Sequence, residues 1–138
     1  MNVLYTAEVT ASGDGRAGHV RSGDGVIDAQ LAVPEGLGGP GGAATNPEQL
    51  FAAGYSACFH GALKAVARQE KVSVDGSVVT ARVHIGKGDD GFGLSVEITV
   101  DLPGKERTEA EALVTKAHQM CPYSKATRGN IDVAVNLA

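Results

Sequence analysis

Alternating apolar and polar positions predict six β-strands in this chain. Side chains on a strand point to opposite faces in turn, so a strand with one buried face shows this period of two. The alternating segments are residues 3–11, the two arms of 18–33, 77–85, 92–100 and 131–137. After the second arm of 18–33, residues 34–45 are so rich in Gly and Pro that no regular element is expected there.

One long apolar segment in the middle of the chain predicts a helix that runs to about Gln69. The predicted start combines an N-cap at Thr45 or Asn46, Pro47 in the first helical position, and a capping-box partner at Glu48 or Gln49. Apolar residues occupy most of the helix surface, so we expect it to be buried on most sides.

A second helix is predicted from the capping box formed by Thr108 and Glu111, and it ends at about Met120 or Cys121. Pro122 stops or kinks it, and a short turn of helix follows. The order of strands and helices is that of an α+β fold with antiparallel sheets, because strands and helices do not alternate one by one. At 138 residues the chain is expected to form a single domain, 1–138.

Composition excludes several classes of protein. Hydrophobic residues make up 43% and charged residues 20%, as in a globular protein and unlike a disordered one. The net charge of −4 argues against broad nucleic-acid binding. No apolar run is long enough for a membrane span, and the first residues lack a secretion signal, so the cytoplasm is the expected compartment.

Two familiar motifs do not carry a function. Residues 13–18 match the G-x-G-x-x-G pattern, but a second strand follows within ten residues where a nucleotide site needs a helix. Cys58 and His60 lie two positions apart on a helix and therefore point in nearly opposite directions, which excludes a catalytic dyad.

The two cysteines are the strongest chemical signal in the sequence. Cys58 lies in the apolar helix, where a free thiol is often an inert small hydrophobe. Cys121 lies beside Pro122 at a helix end, where its side chain is well placed to meet a partner. Both thiols lie on helices that are expected to pack together, and two such thiols can form a reversible disulfide if their Cα atoms come within about 7 Å.

The chain as a whole resembles the organic hydroperoxide resistance proteins of the OsmC-like superfamily. The matching segments are Thr45 to Phe59 (TNPEQLFAAGYSACF), the loop at 38–42, Cys121-Pro122-Tyr123-Ser124, residues 126–130, and the N-terminal turns at 15–18 and 22–25. The resemblance implies an intertwined homodimer in which antiparallel sheets wrap around two central helices.

The same resemblance implies a thiol-dependent peroxidase that reduces organic hydroperoxides and acts in the response to oxidative stress. It makes Cys58 the peroxidatic thiol and Cys121 the resolving thiol, with Arg16 and Glu48 tuning the site. The reductant that it implies is a dithiol of the lipoyl type, free or on a lipoylated protein, with no bound cofactor and no metal.

The chemistry explains why an arginine is needed. Burial raises a thiol pKa, whereas a neighbouring guanidinium stabilises the thiolate that attacks the peroxide. Glu48 and Cys58 are ten residues apart, or about 15 Å along one continuous helix. Either the helix breaks near Gly54, or a second copy of the chain supplies Glu48; we favour the second.

An apolar substrate pocket is predicted beside the thiol, which would favour bulky alkyl or fatty-acyl hydroperoxides over hydrogen peroxide. Its predicted lining residues are Leu37, Phe51, Tyr55, Phe59 and Met120. Two other functions stay open on the sequence: a redox-sensing or ligand-binding dimer that turns over slowly, and a metal-binding protein that uses Cys58, Cys121 and His118.

Overall fold

A computed structural model describes all of the chain, residues 1–138. The chain forms two compact units, Met1–Leu50 and Phe51–Ala138, which are described separately below. Whether the whole chain behaves as the single domain expected from its length stays a prediction.

The Met1–Leu50 unit contains a three-stranded antiparallel sheet in the order β1-β2-β3. Its strands are β1 (Val9–Ser12), β2 (His19–Ser22) and β3 (Asp28–Gln30). The hairpin predicted within 18–33 is confirmed, but the first strand is shorter than its alternating pattern, which began at residue 3. Residues 3–8 lie outside the strand, and the side chains of Val3, Leu4 and Tyr5 are largely exposed.

Helix α1 (Pro47–Glu70) begins where the capping pattern predicted. The Asn46 side-chain oxygen accepts a hydrogen bond from the backbone N–H of Gln49 at 2.8 Å, so Asn46 is the N-cap. Most residues of α1 are buried or partly buried, as expected, and the fully buried ones lie along one face. The opposite face is a stripe of small exposed residues at helical spacing, Ala53, Ala57 and Gly61.

The Phe51–Ala138 unit contains a second sheet in the order β4-β5-β6. Strands β4 (Val78–Gly88) and β5 (Gly91–Asp101) form an antiparallel hairpin that extends to a pair between Gly88 and Gly91. Most of the predicted connection at 86–91 therefore belongs to the two strands, and only Asp89 and Asp90 form the turn between them.

Strand β6 (Val133–Leu137) pairs with β5 in the parallel direction. The prediction of purely antiparallel sheets was wrong at this pair. The reason is the connection, since the helices between β5 and β6 return the chain to the end of the sheet where β5 began.

Two helices form that connection, α2 (Arg107–Met120) and α3 (Pro122–Thr127). The capping box predicted from Thr108 and Glu111 was wrong. Helix α2 starts one residue before Thr108, and the Glu106 side chain caps it by accepting hydrogen bonds from the N–H groups of Thr108 and Glu109.

The core of this unit lies between the inner face of the β4-β5-β6 sheet and helices α1 and α2. Its fully buried large side chains are Tyr55, Phe59, Leu63, Val96, Ile98, Val100 and Leu113. At about 25 cal/mol per Å² of apolar surface, burial of each of these side chains stabilises the fold by a few kcal/mol. No helix of the chain has the length and apolar character that crossing a bilayer requires.

Candidate thiol site

The two thiols of the chain lie next to each other. The Cys121 thiol donates a hydrogen bond to the Cys58 sulfur, with the two Sγ atoms 3.5 Å apart, and both cysteines are free. A disulfide bond is about 2.0 Å long, so the two sulfurs must approach by about 1.5 Å to bond. A side-chain rotation or a small shift of one helix is enough for that, and the predicted proximity of the two thiols is confirmed.

Cys121 occupies the joint between two helices. Its backbone N–H bonds the Ala117 carbonyl at the end of α2, and its carbonyl accepts the N–H of Lys125 in α3. Pro122 fits the first position of α3 because that position needs no N–H donor. Cys121 is buried and Cys58 is partly buried, so Cys58 is the thiol that a ligand reaches.

The surroundings of Cys58 within the Phe51–Ala138 unit disfavour its thiolate. Burial is the main cause that raises the pKa of this thiol, and the hydrogen bond with the Cys121 thiol raises it further. The backbone N–H of Tyr123 acts in the opposite direction, because it hydrogen-bonds the Cys58 sulfur and lowers the pKa. A reactive thiolate at neutral pH therefore needs a cation in addition to these groups.

The predicted pair of Arg16 and Glu48 forms within the Met1–Leu50 unit. Two guanidinium nitrogens of Arg16 donate to the two carboxylate oxygens of Glu48, at 3.0 and 2.8 Å. This bidentate contact lowers the pKa of Glu48 and raises the pKa of Arg16, in both cases mainly through the side-chain hydrogen bond. Glu48 lies in the first turn of α1, where the helix dipole also favours a carboxylate.

Helix α1 is continuous from Pro47 to Glu70, so the alternative of a break near Gly54 was wrong. Glu48 and Cys58 of one chain are then about 15 Å apart along the helix axis. Gly54 has a packing role instead, since a Cβ at this position would come within 3.1 Å of the Tyr123 ring.

The five residues predicted to line a pocket differ in how exposed they are. Tyr55 and Phe59 have no exposed surface and pack in the core behind the thiols. Phe51 is partly buried, with its ring 6.0 Å from that of Tyr55, and Met120 is 40% exposed. Leu37 lies in a short 3-10 turn of the other unit. Accessible lining by Phe51, Met120 and Leu37 stays a prediction.

The rejected motifs have structural roles. His60 hydrogen-bonds the Ser77 hydroxyl at 2.9 Å, which agrees with the argument against a Cys58–His60 dyad. The glycine motif at 13–18 forms a 3-10 turn followed by β2, and no helix opens there.

The metal-binding alternative gains no support from the geometry. The chain holds no cluster of three or more His, Cys, Asp or Glu side chains that suits a metal ion. His118, the third proposed ligand, instead has its Nδ1 atom 2.8 Å from the Ser124 hydroxyl.

Sequence reasoning missed a buried polar cluster behind the thiols. It consists of Tyr55 on α1, His118 on α2, and Ser124 and Thr127 on α3. One signal was available: a tyrosine in an apolar helix needs a partner for its hydroxyl, and Ser124 and Thr127 repeat at helical spacing on one face of α3.

Comparison with known proteins identifies the family. The family described as OsmC-like protein matches residues 39–136. An organic hydroperoxide resistance protein of Xanthomonas axonopodis pv. citri is 56% identical over 99% of this chain and 96% of its own length. The crystal structure of the organic hydroperoxide resistance protein OhrB of Bacillus subtilis matches with a TM-score of 0.90 and 46% identity, over 99% of this chain and 100% of that one.

A second solved structure, an organic hydroperoxide resistance protein from Elizabethkingia anophelis, matches with a TM-score of 0.94 and 50% identity over 100% of this chain and 99% of that one. The similarity therefore covers both units and is high in sequence as well as in backbone. The chain belongs to the OsmC-like family, and the relatives named above are organic hydroperoxide resistance proteins.

Proposed function

We propose that this protein is a thiol-dependent peroxidase that reduces organic hydroperoxides in the response to oxidative stress. The observation that carries the proposal is the pair of free thiols with sulfurs 3.5 Å apart, one buried and one partly accessible. The names of two relatives support the substrate class, because organic hydroperoxide resistance proteins of Xanthomonas axonopodis pv. citri and Bacillus subtilis are 56% and 48% identical to this chain.

The reaction assigns a different role to each cysteine. The Cys58 thiolate attacks the terminal, hydrogen-bearing oxygen of the hydroperoxide, the O–O bond breaks, and the alkoxide takes a proton and leaves as the alcohol. Cys58 is then a sulfenic acid. The Cys121 thiol condenses with it, so that a disulfide and one water molecule form and further oxidation of Cys58 is prevented.

A dithiol completes the cycle. One of its thiolates attacks the Cys58–Cys121 disulfide, and its second thiol releases the mixed disulfide, so both cysteines are reduced and the dithiol is oxidised. A lipoyl-type dithiol, either dihydrolipoamide or a lipoylated protein, fits this step because its two thiols lie close enough to form a ring disulfide.

Arg16 supplies the cation that the Cys58 environment requires. Its guanidinium has five donors, and the two bonds to Glu48 leave the others free for the thiolate and the peroxide. Arg16 is 44% exposed as a side chain, so these donors are available to a partner surface.

A homodimer brings this pair to the thiol in our proposal. Since Glu48 lies about 15 Å along the α1 axis from Cys58 of its own chain, we assign the Arg16–Glu48 pair near each thiol to a second copy. Antiparallel contact between two α1 helices achieves this, and the exposed small residues Ala53, Ala57 and Gly61 allow two such helices to approach closely.

Substrate preference follows from the apolar surroundings of the thiol. Phe51 and Met120 offer apolar surface, so bulky alkyl and fatty-acyl hydroperoxides are expected to react faster than hydrogen peroxide. Equal second-order rate constants for cumene hydroperoxide and hydrogen peroxide would count against an apolar pocket.

Steady-state consumption of an alkyl hydroperoxide with dihydrolipoamide tests the proposal. The wild type is expected to turn over, and Cys58→Ser to show no consumption above the uncatalysed rate. Cys121→Ser is expected to react once, recycle poorly and accumulate over-oxidised Cys58. A wild type that forms the disulfide but does not turn over would instead indicate the redox-sensing alternative.

A further inference from the structure

Four side chains behind the thiols form one continuous hydrogen-bonded chain. The His118 Nδ1 atom is 2.8 Å from the Ser124 hydroxyl, which is 2.9 Å from the Tyr55 hydroxyl, which is 3.1 Å from the Thr127 hydroxyl. Thr127 then bonds the backbone carbonyl of Ser124 at 3.1 Å. Tyr55 and Ser124 have no exposed surface and Thr127 has 6%, so water does not compete for the bonds among these three residues, whereas His118 is partly buried.

We assign the direction of the bonds from the far end of this chain. There the Thr127 hydroxyl donates its single proton to the Ser124 carbonyl at 3.1 Å, and the same carbonyl also accepts the Arg128 N–H at 2.9 Å. Tyr55 must then donate to Thr127, and Ser124 must donate to Tyr55, because each hydroxyl has one proton. Ser124 has no proton left for His118, so His118 donates from Nδ1.

His118 is therefore held with a proton on Nδ1 and, when neutral, with an unprotonated Nε2. Burial is the main cause that lowers the pKa of His118, and the positive charge of Arg128 lowers it further, so the neutral form predominates at pH 7. Arg128 also donates to the His118 backbone carbonyl at 2.8 Å, which fixes the end of α2.

The hydrogen-bonded chain ties together the three helices that carry the thiol site. Tyr55 lies on α1 one turn before Cys58, and His118 lies on α2 three residues before Cys121. Ser124 and Thr127 lie on α3, which begins directly after Cys121. The segment that they anchor contains the two groups that touch the Cys58 sulfur, the Cys121 thiol and the Tyr123 N–H.

We propose that Thr127, Tyr55, Ser124 and His118 form a one-way hydrogen-bonded chain that positions the Cys121–Tyr123 segment against Cys58. In this arrangement the four are positioning residues for the peroxidase reaction, and Thr127 sets the tautomer of His118 from the opposite end of the chain. This role rests on the proposed function, whereas the direction of the bonds does not.

Removal of the Thr127 hydroxyl reverses the chain. Without an acceptor at Thr127, the Tyr55 hydroxyl turns to donate to Ser124, and Ser124 turns to donate to His118 Nδ1. His118 must then carry its proton on Nε2. Thr127→Val therefore changes the tautomer of a histidine that it does not touch, while Thr127→Ser keeps a hydroxyl and leaves the tautomer unchanged.

Nitrogen-15 NMR of the histidine-labelled full chain measures this directly, since the two ring nitrogens have distinct shifts for each tautomer. We expect the Nδ1–H form of His118 in the wild type and in Thr127→Ser, and the Nε2–H form in Thr127→Val. An Nε2–H tautomer in the wild type, or an unchanged tautomer in Thr127→Val, would overturn the assigned direction.

The positioning role is tested by the pH profile of Cys58 alkylation, which does not depend on peroxidase activity. When the Tyr123 N–H moves away from the sulfur, the thiolate loses a donor. We expect the alkylation midpoint to rise in Thr127→Val and the rate at pH 7 to fall about three- to tenfold. Thr127→Ser should restore the wild-type profile, and a Thr127→Val profile identical to the wild type would overturn the role.

A second pair of variants separates hydrogen-bond donation from base chemistry at His118. The amide N–H of Asn takes the place of Nδ1–H but offers nothing in the place of Nε2, whereas Leu offers neither. We expect His118→Asn to retain the wild-type alkylation profile and His118→Leu to lose it. Equal loss in both variants would show that His118 does not act as an N–H donor to Ser124.

These outcomes stay distinct from a failure of the proposed function. If the wild-type protein consumes no hydroperoxide, the proposed function fails, but the tautomer and the alkylation midpoint still report on the chain. If the wild type turns over and the Thr127 variants do not differ in either measurement, only this inference fails.

Discussion

Replacement of Tyr55 by Phe isolates the energetic contribution of the buried hydroxyl behind the thiols. The substitution removes one oxygen from a residue with no exposed surface and leaves the ring in the core. Two hydrogen bonds are lost, one between the Tyr55 and Thr127 hydroxyls and one between the Tyr55 and Ser124 hydroxyls. Water cannot replace either bond, because Ser124 is also without exposed surface.

The expected cost follows from those two bonds. At about 1 kcal/mol for each hydrogen bond that is lost in a protein interior, Tyr55→Phe should lower the free energy of unfolding by about 2 kcal/mol. A chain of this length has an unfolding entropy that converts 2 kcal/mol into a decrease in Tm of roughly 7 °C.

Tyr123→Phe is the matched control. It removes the same oxygen from a tyrosine that is 42% exposed, whose ring packs 5.8 Å from that of Tyr55. Its unfolding free energy should stay within about 0.5 kcal/mol of the wild type. Urea unfolding and thermal scans at one fixed protein concentration measure both variants, because association of chains shifts the apparent stability. Equal losses in the two variants would refute the reasoning.

Further outcomes are expected at three other positions. The Arg16 contact lowers the pKa of Glu48, so it stabilises the fold at pH values above the ordinary glutamate pKa. This contribution disappears as the pH falls through the lowered pKa. The difference in unfolding free energy between wild type and Glu48→Gln should therefore shrink below about pH 4 and stay constant at pH 6 to 8. Asn46→Ala should lower stability by about 1 kcal/mol through loss of the α1 cap, with Asn46→Asp close to wild type in urea unfolding. A Gly→Ala change inside a helix usually raises the unfolding free energy by roughly 1 kcal/mol, but Gly54→Ala should show little of this gain because the new Cβ meets the Tyr123 ring. The gain should appear when Gly54→Ala is made in a Tyr123→Ala background. A full gain in the wild-type background would contradict this packing.

Local signals in the sequence predicted most of the elements. The start of α1 was predictable because a cap is a short-range contact, and the Pro122 stop located the joint at Cys121. The parallel direction of β6 was not predictable from its alternation, since the period of two is the same in either direction. The pattern at residues 3–8 likewise shows which side chains are apolar without showing what covers them.

The site shows the same division between local and long-range information. The position of both cysteines on apolar helices that were expected to pack together predicted that they meet, and spacing showed that Glu48 cannot reach Cys58 along one helix. Nothing local showed that Tyr55 hydrogen-bonds residues about 70 positions away, because that contact depends on how three helices pack. The raised pKa of Cys58 was predictable from its place in an apolar helix, whereas the opposing effect of the Tyr123 N–H comes from tertiary structure.

The central claim is that Cys58 is oxidised by an organic hydroperoxide and that Cys121 captures the product. Intact-mass spectrometry of the reduced protein after one equivalent of cumene hydroperoxide tests it most directly. We predict loss of two hydrogen atoms in the wild type, gain of oxygen at Cys58 in Cys121→Ser, and no change in Cys58→Ser. Gain of oxygen in the wild type without a disulfide, or oxidation that persists in Cys58→Ser, would contradict the account.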